Sequence, residues 1–165
     1  MADQVDRILQ QWARHRPDLD VSPMAIVGRL ARLNRIVNAE QTRTFTRHGL
    51  DPSAFDMLAT LRRSGPPHQL TPAQLTRSSM VTSGAITQRL DRLEARGLVV
   101  RTPNATDGRV VDVSLTDAGR ALIDQVVPDH VATGQQLLAG LDEADRKDLA
   151  RLMRKLLESL GDQPD

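Results

Sequence analysis

A chain of 165 residues, 39% hydrophobic and 26% charged, has the size and composition of one globular unit, and its lack of cysteine excludes disulfides, cysteine-ligated zinc and a thiol switch. The net charge of +1 conceals an uneven distribution: residues 62–109 hold eight arginines against three acids, whereas residues 110–165 hold six basic residues against eleven acids, so one face should attract polyanions. Four scattered histidines (15, 48, 68 and 130) lack metal-ligand spacing, and Trp12, Phe45 and Phe55 are too few aromatics for a base-stacking single-strand binder. Asp3 and Asp6 argue against an N-terminal leader, and about 18 consecutive apolar residues occur nowhere. The expectation is a cytoplasmic protein with no membrane partner, metal or cofactor.

A short helix around Val5 to Arg14 ends near Arg16-Pro17. Three capping residues each followed by proline then announce helix starts, Ser22-Pro23, Asp51-Pro52 and Thr71-Pro72, because proline's missing N–H costs nothing in a first turn. The helix after Ser22 carries Ile26, Leu30, Leu33 and Val37 as one apolar stripe; the next, over 51–63, faces inward with Phe55, Leu58 and Leu61. Thr71 to about Arg77 is short, and a longer helix capped by Thr82 runs to about Arg96, where Gly97 stops it. Leu98–Val100 and Val110–Leu115 are strands flanking the turn-rich Pro103–Gly108 loop. Thr116 caps a helix that Pro128 should kink or divide. Asp142 starts the last helix, whose Leu149, Leu152, Met153, Leu156 and Leu160 form a wide apolar stripe.

This order is mainly α with a small β-hairpin wing. Residues 51–116 read as a winged helix-turn-helix DNA-binding lobe and residues 1–48 and 117–165 as a helical dimerisation region, the terminal stripe packing on its own copy in a homodimer. At about 100° per residue, Ile86, Leu90, Leu93 and Gly97 fall on one inward stripe, and Ser83, Gly84, Thr87, Gln88 and Asp91 on the other side. Short polar groups at a helix start suit close approach to a major groove, so Ser83, Gly84, Thr87 and Gln88 are candidate DNA contacts. Arg109 follows Asp107-Gly108 at the hairpin tip, where a guanidinium can enter a minor groove with Asp107 bracing it.

The strings SSMVTSGAITQRLDRLEARGLVVR (78–101) and TDGRVVDVSLTDAGR (106–120) closely resemble the MarR (multiple-antibiotic-resistance regulator) family. The resemblance spans the chain and implies a homodimer that reads a pseudo-palindromic operator in double-stranded DNA, usually as a repressor released by a small ligand. The competing class is an architectural winged helix that binds any duplex alike. No pairing of nucleophile and base, and no glycine-rich phosphate loop, points to an enzyme.

Arg89 lies on the flank of the inward stripe and points back into the protein, where a guanidinium needs a carboxylate or an anionic ligand. Asp56, among Phe55, Met57 and Leu58, is an equally awkward acid, so the two either pair structurally or face a ligand. The QWARHRPDLDVSPM run (11–24) resembles the urate-responsive subgroup of the family. That resemblance implies an effector pocket of Trp12, Asp56 and Arg89, with Arg101 at the end of the first wing strand as a relay. The ligand implied is urate or another anionic or aromatic metabolite.

Overall fold

The computed structural model describes residues 2–79, 86–104, 106–107 and 109–162. Helix α1 (Gln4–His15) is opened by Asp3, whose carboxylate accepts from the Val5 and Asp6 amides while Asp6 returns a bond to the Asp3 amide. It lies on α2 (Ser22–Arg47), where Val5 is buried over Gly28 and Arg29 reaches Asp3 at 2.9 Å and Asp6 at 2.7 Å. Ser22 does not cap α2 as expected. It is the first helical residue, and Asp20 accepts from its amide instead.

Helices α3 (Pro52–Arg63) and α4 (Pro72–Ser78) begin at Asp51 and Thr71, each of whose side chains accepts from amides of the first turn. α5 is described over Ile86–Ala95, and Gly97 follows at φ +67°, a left-handed turn that glycine adopts without strain. The wing strands are β2 (Val99–Pro103) and β3 (Val111–Leu115). A third strand, β1 (Gln69–Leu70), pairs with the other edge of β3, Leu70 opposite Val113, giving an antiparallel sheet of order β1-β3-β2. Met57, Leu58, Leu61, Leu75, Leu90, Leu93, Val99, Val113, Ile123 and Val126 form the buried core of this lobe.

α6 (Asp117–Leu137) continues through Pro128, so of the two expected effects, a kink or a division, the division does not occur. Pro128 and Asp124 are both exposed, so the carbonyl that loses its amide partner can turn to water. α6 is tied to the lobe by Arg62–Asp124 at 2.7 Å and to α2 by a buried Thr44–Thr133 hydrogen bond at 2.7 Å. Its first turn sits on the end of the α5–β2 connection: the Thr116 hydroxyl donates to the Gly97 carbonyl at 2.6 Å and the Thr116 amide to the Leu98 carbonyl at 3.2 Å. α7 (Glu143–Ser159), capped by Asp142, has no buried residue. Among the described residues, no helix is long and apolar enough to cross a membrane.

Candidate nucleic-acid interface

Helix α5 is fixed by its inward stripe. Ile86, Leu90 and Leu93 are buried in the core, which leaves Thr87 and Gln88 exposed on the side assigned to DNA. Ser83, Gly84 and the expected cap Thr82 lie outside the described residues. The exposed pair is short and polar, suited to base edges or phosphate oxygens in a major groove.

The wing turn is built by Asn104, which the sequence reading missed. Its Oδ1 accepts from the Thr106 amide at 2.9 Å, the Thr106 hydroxyl at 2.7 Å and the Asp107 amide at 3.0 Å, while its Nδ2 donates to Asp112 at 2.8 Å. Asp112 is buried, so this bond also satisfies a carboxylate withdrawn from water. Asp107 accepts from the Arg109 amide at 3.0 Å, which corrects the expectation that it braces the guanidinium. A short side chain reaches a backbone N–H two residues on before it reaches the end of an arginine. Arg109 itself is exposed at the base of this turn. The signal for Asn104 was present in its position at the head of a turn-rich loop.

Arg101 stands in the middle of β2, not at its end. Its Nη2 donates to Asp91 Oδ1 at 2.6 Å and approaches the Thr87 carbonyl at 3.4 Å. Its backbone amide donates to Glu94 Oε1 at 3.1 Å, and its Nε lies 3.7 Å from Glu94 Oε2. The partners of Arg101 are therefore two acids of α5.

Arg89 lies elsewhere, since Asp91 is about 160° around α5 from it. It lines a cleft of about 320 Å³ with Arg92 of the same helix, with Arg96 just past the helix end, and with Asp51, Ser53 and Ala54 at the start of α3. Arg89 Nη1 is buried without a hydrogen-bond partner among the described residues. Burial pushes the Asp51 carboxyl up, but the Ala54 and Ser53 amides, the Ser53 hydroxyl and the Arg89 charge outweigh this and hold it below the ordinary carboxylate value. The cleft thus carries an excess of positive charge beside a helix N-terminus.

Neither Trp12 nor Asp56 lines that cleft. Trp12 is 39% exposed on α1, and Asp56 is buried on α3. Of the four residues expected in an effector pocket, only Arg89 lines the cleft, while Arg101 engages the opposite side of the same helix. Arg92 and Arg96 were read from the sequence as part of a basic stretch; their spacing of three and seven from Arg89 was the available sign of a shared face.

A sequence model of the MarR family matches residues 48–110, from the end of α2 to the wing. Over 157 residues the chain is 38% identical to the HTH-type transcriptional regulator PecS of Dickeya dadantii (strain 3937), covering 95% of both chains. A mutant MarR from E. coli complexed with operator DNA superimposes with a TM-score of 0.71 at 29% identity, covering 84% of this chain and 99% of that one. BpsR of Bordetella bronchiseptica, whose DNA binding is regulated by 6-hydroxynicotinic acid, gives a TM-score of 0.71 at 27% identity, covering 79% and 91%. The matches reach well past the helix-turn-helix into the flanking helices, so the likeness is to a whole regulator and not to a shared motif, and the chain belongs to the MarR family of DNA-binding transcriptional regulators.

Proposed function

We propose that the protein is a homodimeric repressor that reads a pseudo-palindromic operator through Ser83, Gly84, Thr87, Gln88, Asp107 and Arg109 and is released by a small anionic effector. The observation that carries the ligand response is Arg89, with its buried Nη1 in a cleft whose other cations are Arg92 and Arg96. An anion entering there gains charge-assisted bonds that the described groups leave open. Urate or another planar, anionic metabolite is the effector class that the resemblance favours. Asp56 and Trp12, the other two pocket residues that the resemblance implies, do not line this cleft, so in this reading Arg89 holds the ligand with Arg92 and Arg96, and Arg101 passes movement of α5 to the wing.

Two exposed apolar faces support the dimer. Ile26 and Leu33 of α2, Leu152, Met153 and Leu156 of α7 and Leu160 at its C-terminal end stay in water in the single chain. Residues 1–48 and 117–165 then serve as the dimerisation region, with residues 51–116 as the DNA-binding lobe. Burying such faces against a second copy is favourable by about 25 cal/mol per Å².

The test is fluorescence-anisotropy titration of duplex DNA from upstream of the protein's own gene, against a shuffled duplex at fixed salt, with and without urate. Selective binding that urate weakens, and that Arg89→Ala renders indifferent to urate, is the expected result. Selective binding unaffected by urate overturns the choice of ligand, and equal binding to both duplexes overturns operator reading at that site.

A further inference from the structure

Two acids on the groove-facing side of a recognition helix repel phosphate, so their presence needs a physical reason. Asp91 and Glu94 follow Thr87 by four and seven residues, within about 60° of it around α5. Both point at Arg101 of β2, whose side chain is 25% exposed. We propose that Asp91 and Glu94 are positioning residues that hold the wing at a fixed angle to the recognition helix through Arg101. This rests on DNA reading by α5 and the wing and is independent of any effector.

The attachment is at two points of one residue. Asp91 holds the end of the guanidinium at 2.6 Å, and Glu94 accepts from the backbone amide at 3.1 Å. β2 is the outer strand of the β1-β3-β2 sheet, so an amide pointing away from β3 has no ladder partner, and Glu94 supplies one. The Thr87 carbonyl adds a third contact at 3.4 Å. A single exposed ion pair contributes about 0–1 kcal/mol and sets no geometry; a side-chain tip and a backbone amide fixed together stop the strand from rotating about either bond. The tip of the wing lies roughly 15 Å further along at about 3.3 Å per residue. A 10° rotation at Arg101 therefore displaces the tip by about 3 Å, by the same strand rise, enough to separate a wing arginine from a groove while α5 remains seated.

Electrostatics and positioning give opposite signs. In the Asp91→Ala/Glu94→Ala variant, loss of two negative charges beside DNA alone would tighten binding to operator and shuffled duplex alike. Loss of the positioning contacts should weaken operator binding about tenfold and leave shuffled-duplex binding unchanged or tighter. The selectivity ratio would fall by at least tenfold, and Asp91→Ala should have no further effect on it in an Arg101→Ala background. A variant of unchanged melting temperature whose selectivity is preserved overturns the proposal.

A second measurement needs no operator. In the free protein, Glu94→Ala should accelerate hydrogen exchange of the Arg101 amide at least tenfold while that of Leu90 stays protected; equal rates at Arg101 overturn the proposal. Because this readout uses protein alone, it decides the matter even if the chosen duplex is not the operator.

Discussion

Gly119 occupies the first turn of α6, where a Cβ would lie 1.9 Å from the Leu98 carbonyl oxygen and 2.9 Å from its carbon. Because the obstacle is backbone, Gly119→Ala must move α6 away from the α5–β2 connection by at least about 1.1 Å to reach the 3.0 Å floor of real Cβ contacts. The Thr116 bonds to Gly97 and Leu98, at 2.6 and 3.2 Å, span the same gap. Overpacking costs about 1–3 kcal/mol and a strained pair of hydrogen bonds about 1 kcal/mol more. Alanine's better helix propensity offsets about 1 kcal/mol, for a net loss of roughly 1–3 kcal/mol. Gly134 in the same helix is the control, since nothing lies within 4 Å of its Cβ; Gly134→Ala should gain up to about 1 kcal/mol from propensity alone. Urea melts of both variants at one protomer concentration measure the difference. Equal stabilisation by the two substitutions would refute the close approach.

Three other variants probe separate links. His130 packs on Phe55 and Phe45, with ring centroids 4.8 and 5.4 Å away, and burial pushes its ring below the ordinary histidine value. The unfolded chain therefore takes up the proton first, so stability should decline as pH falls below about 6.5 and on through the folded value; His130→Gln should flatten that part of the curve, and identical slopes would exclude the burial effect. Asp51→Ala should cost about 1 kcal/mol at neutral pH through loss of the α3 cap. With the Asp51 carboxyl held low in the fold, the difference from wild type should persist above about pH 4 and vanish as pH falls through the folded value, which acid-range melts would show. Leu152→Glu/Leu156→Glu places two charges on the exposed α7 face; sedimentation should show a monomer at micromolar concentration, and a persistent dimer would place the interface elsewhere.

The readable parts of this fold were those with local causes. Asp51-Pro52, Thr71-Pro72, Thr116 and Asp142 announced helix starts because a cap and its helix are contiguous in sequence, and the structure has each side chain on its first-turn amides. β1 was illegible for the opposite reason. Gln69–Leu70 is too short for alternation to register, and it is a strand because the far edge of β3 is available to it. Ser22 misled because it lies one residue inside the helix, where its own amide is held by Asp20 and its hydroxyl caps nothing. At the site, helical counting put Thr87 and Gln88 outward and Ile86, Leu90 and Leu93 inward. Whether Arg101 answers to Arg89 or to Asp91 and Glu94 depends on how β2 lies across α5, which no pattern within one segment encodes.

α5 therefore connects two regions of unlike chemistry. One side presents Arg89 and Arg92, joined by Arg96 just past the helix end, to the cleft beside α3, and the other presents Asp91 and Glu94 to β2, with the inward stripe between them seated in the core. A ligand that pulls on the arginine side cannot move α5 without also moving the residues that hold Arg101, so recognition helix and wing would be displaced as one body. Reversing a 99:1 preference for the DNA-competent state takes about 5.5 kcal/mol. Shared between two symmetric sites, that is about 2.7 kcal/mol per ligand, or roughly a hundredfold difference in ligand affinity between the two positions of α5. One or two charge-assisted hydrogen bonds to Arg89, at about 1.5–3 kcal/mol each, are of that size. It follows that truncating Arg89 should abolish most of a ligand's effect on DNA binding, whereas loosening Arg101 should leave ligand binding intact and break its transmission to the wing.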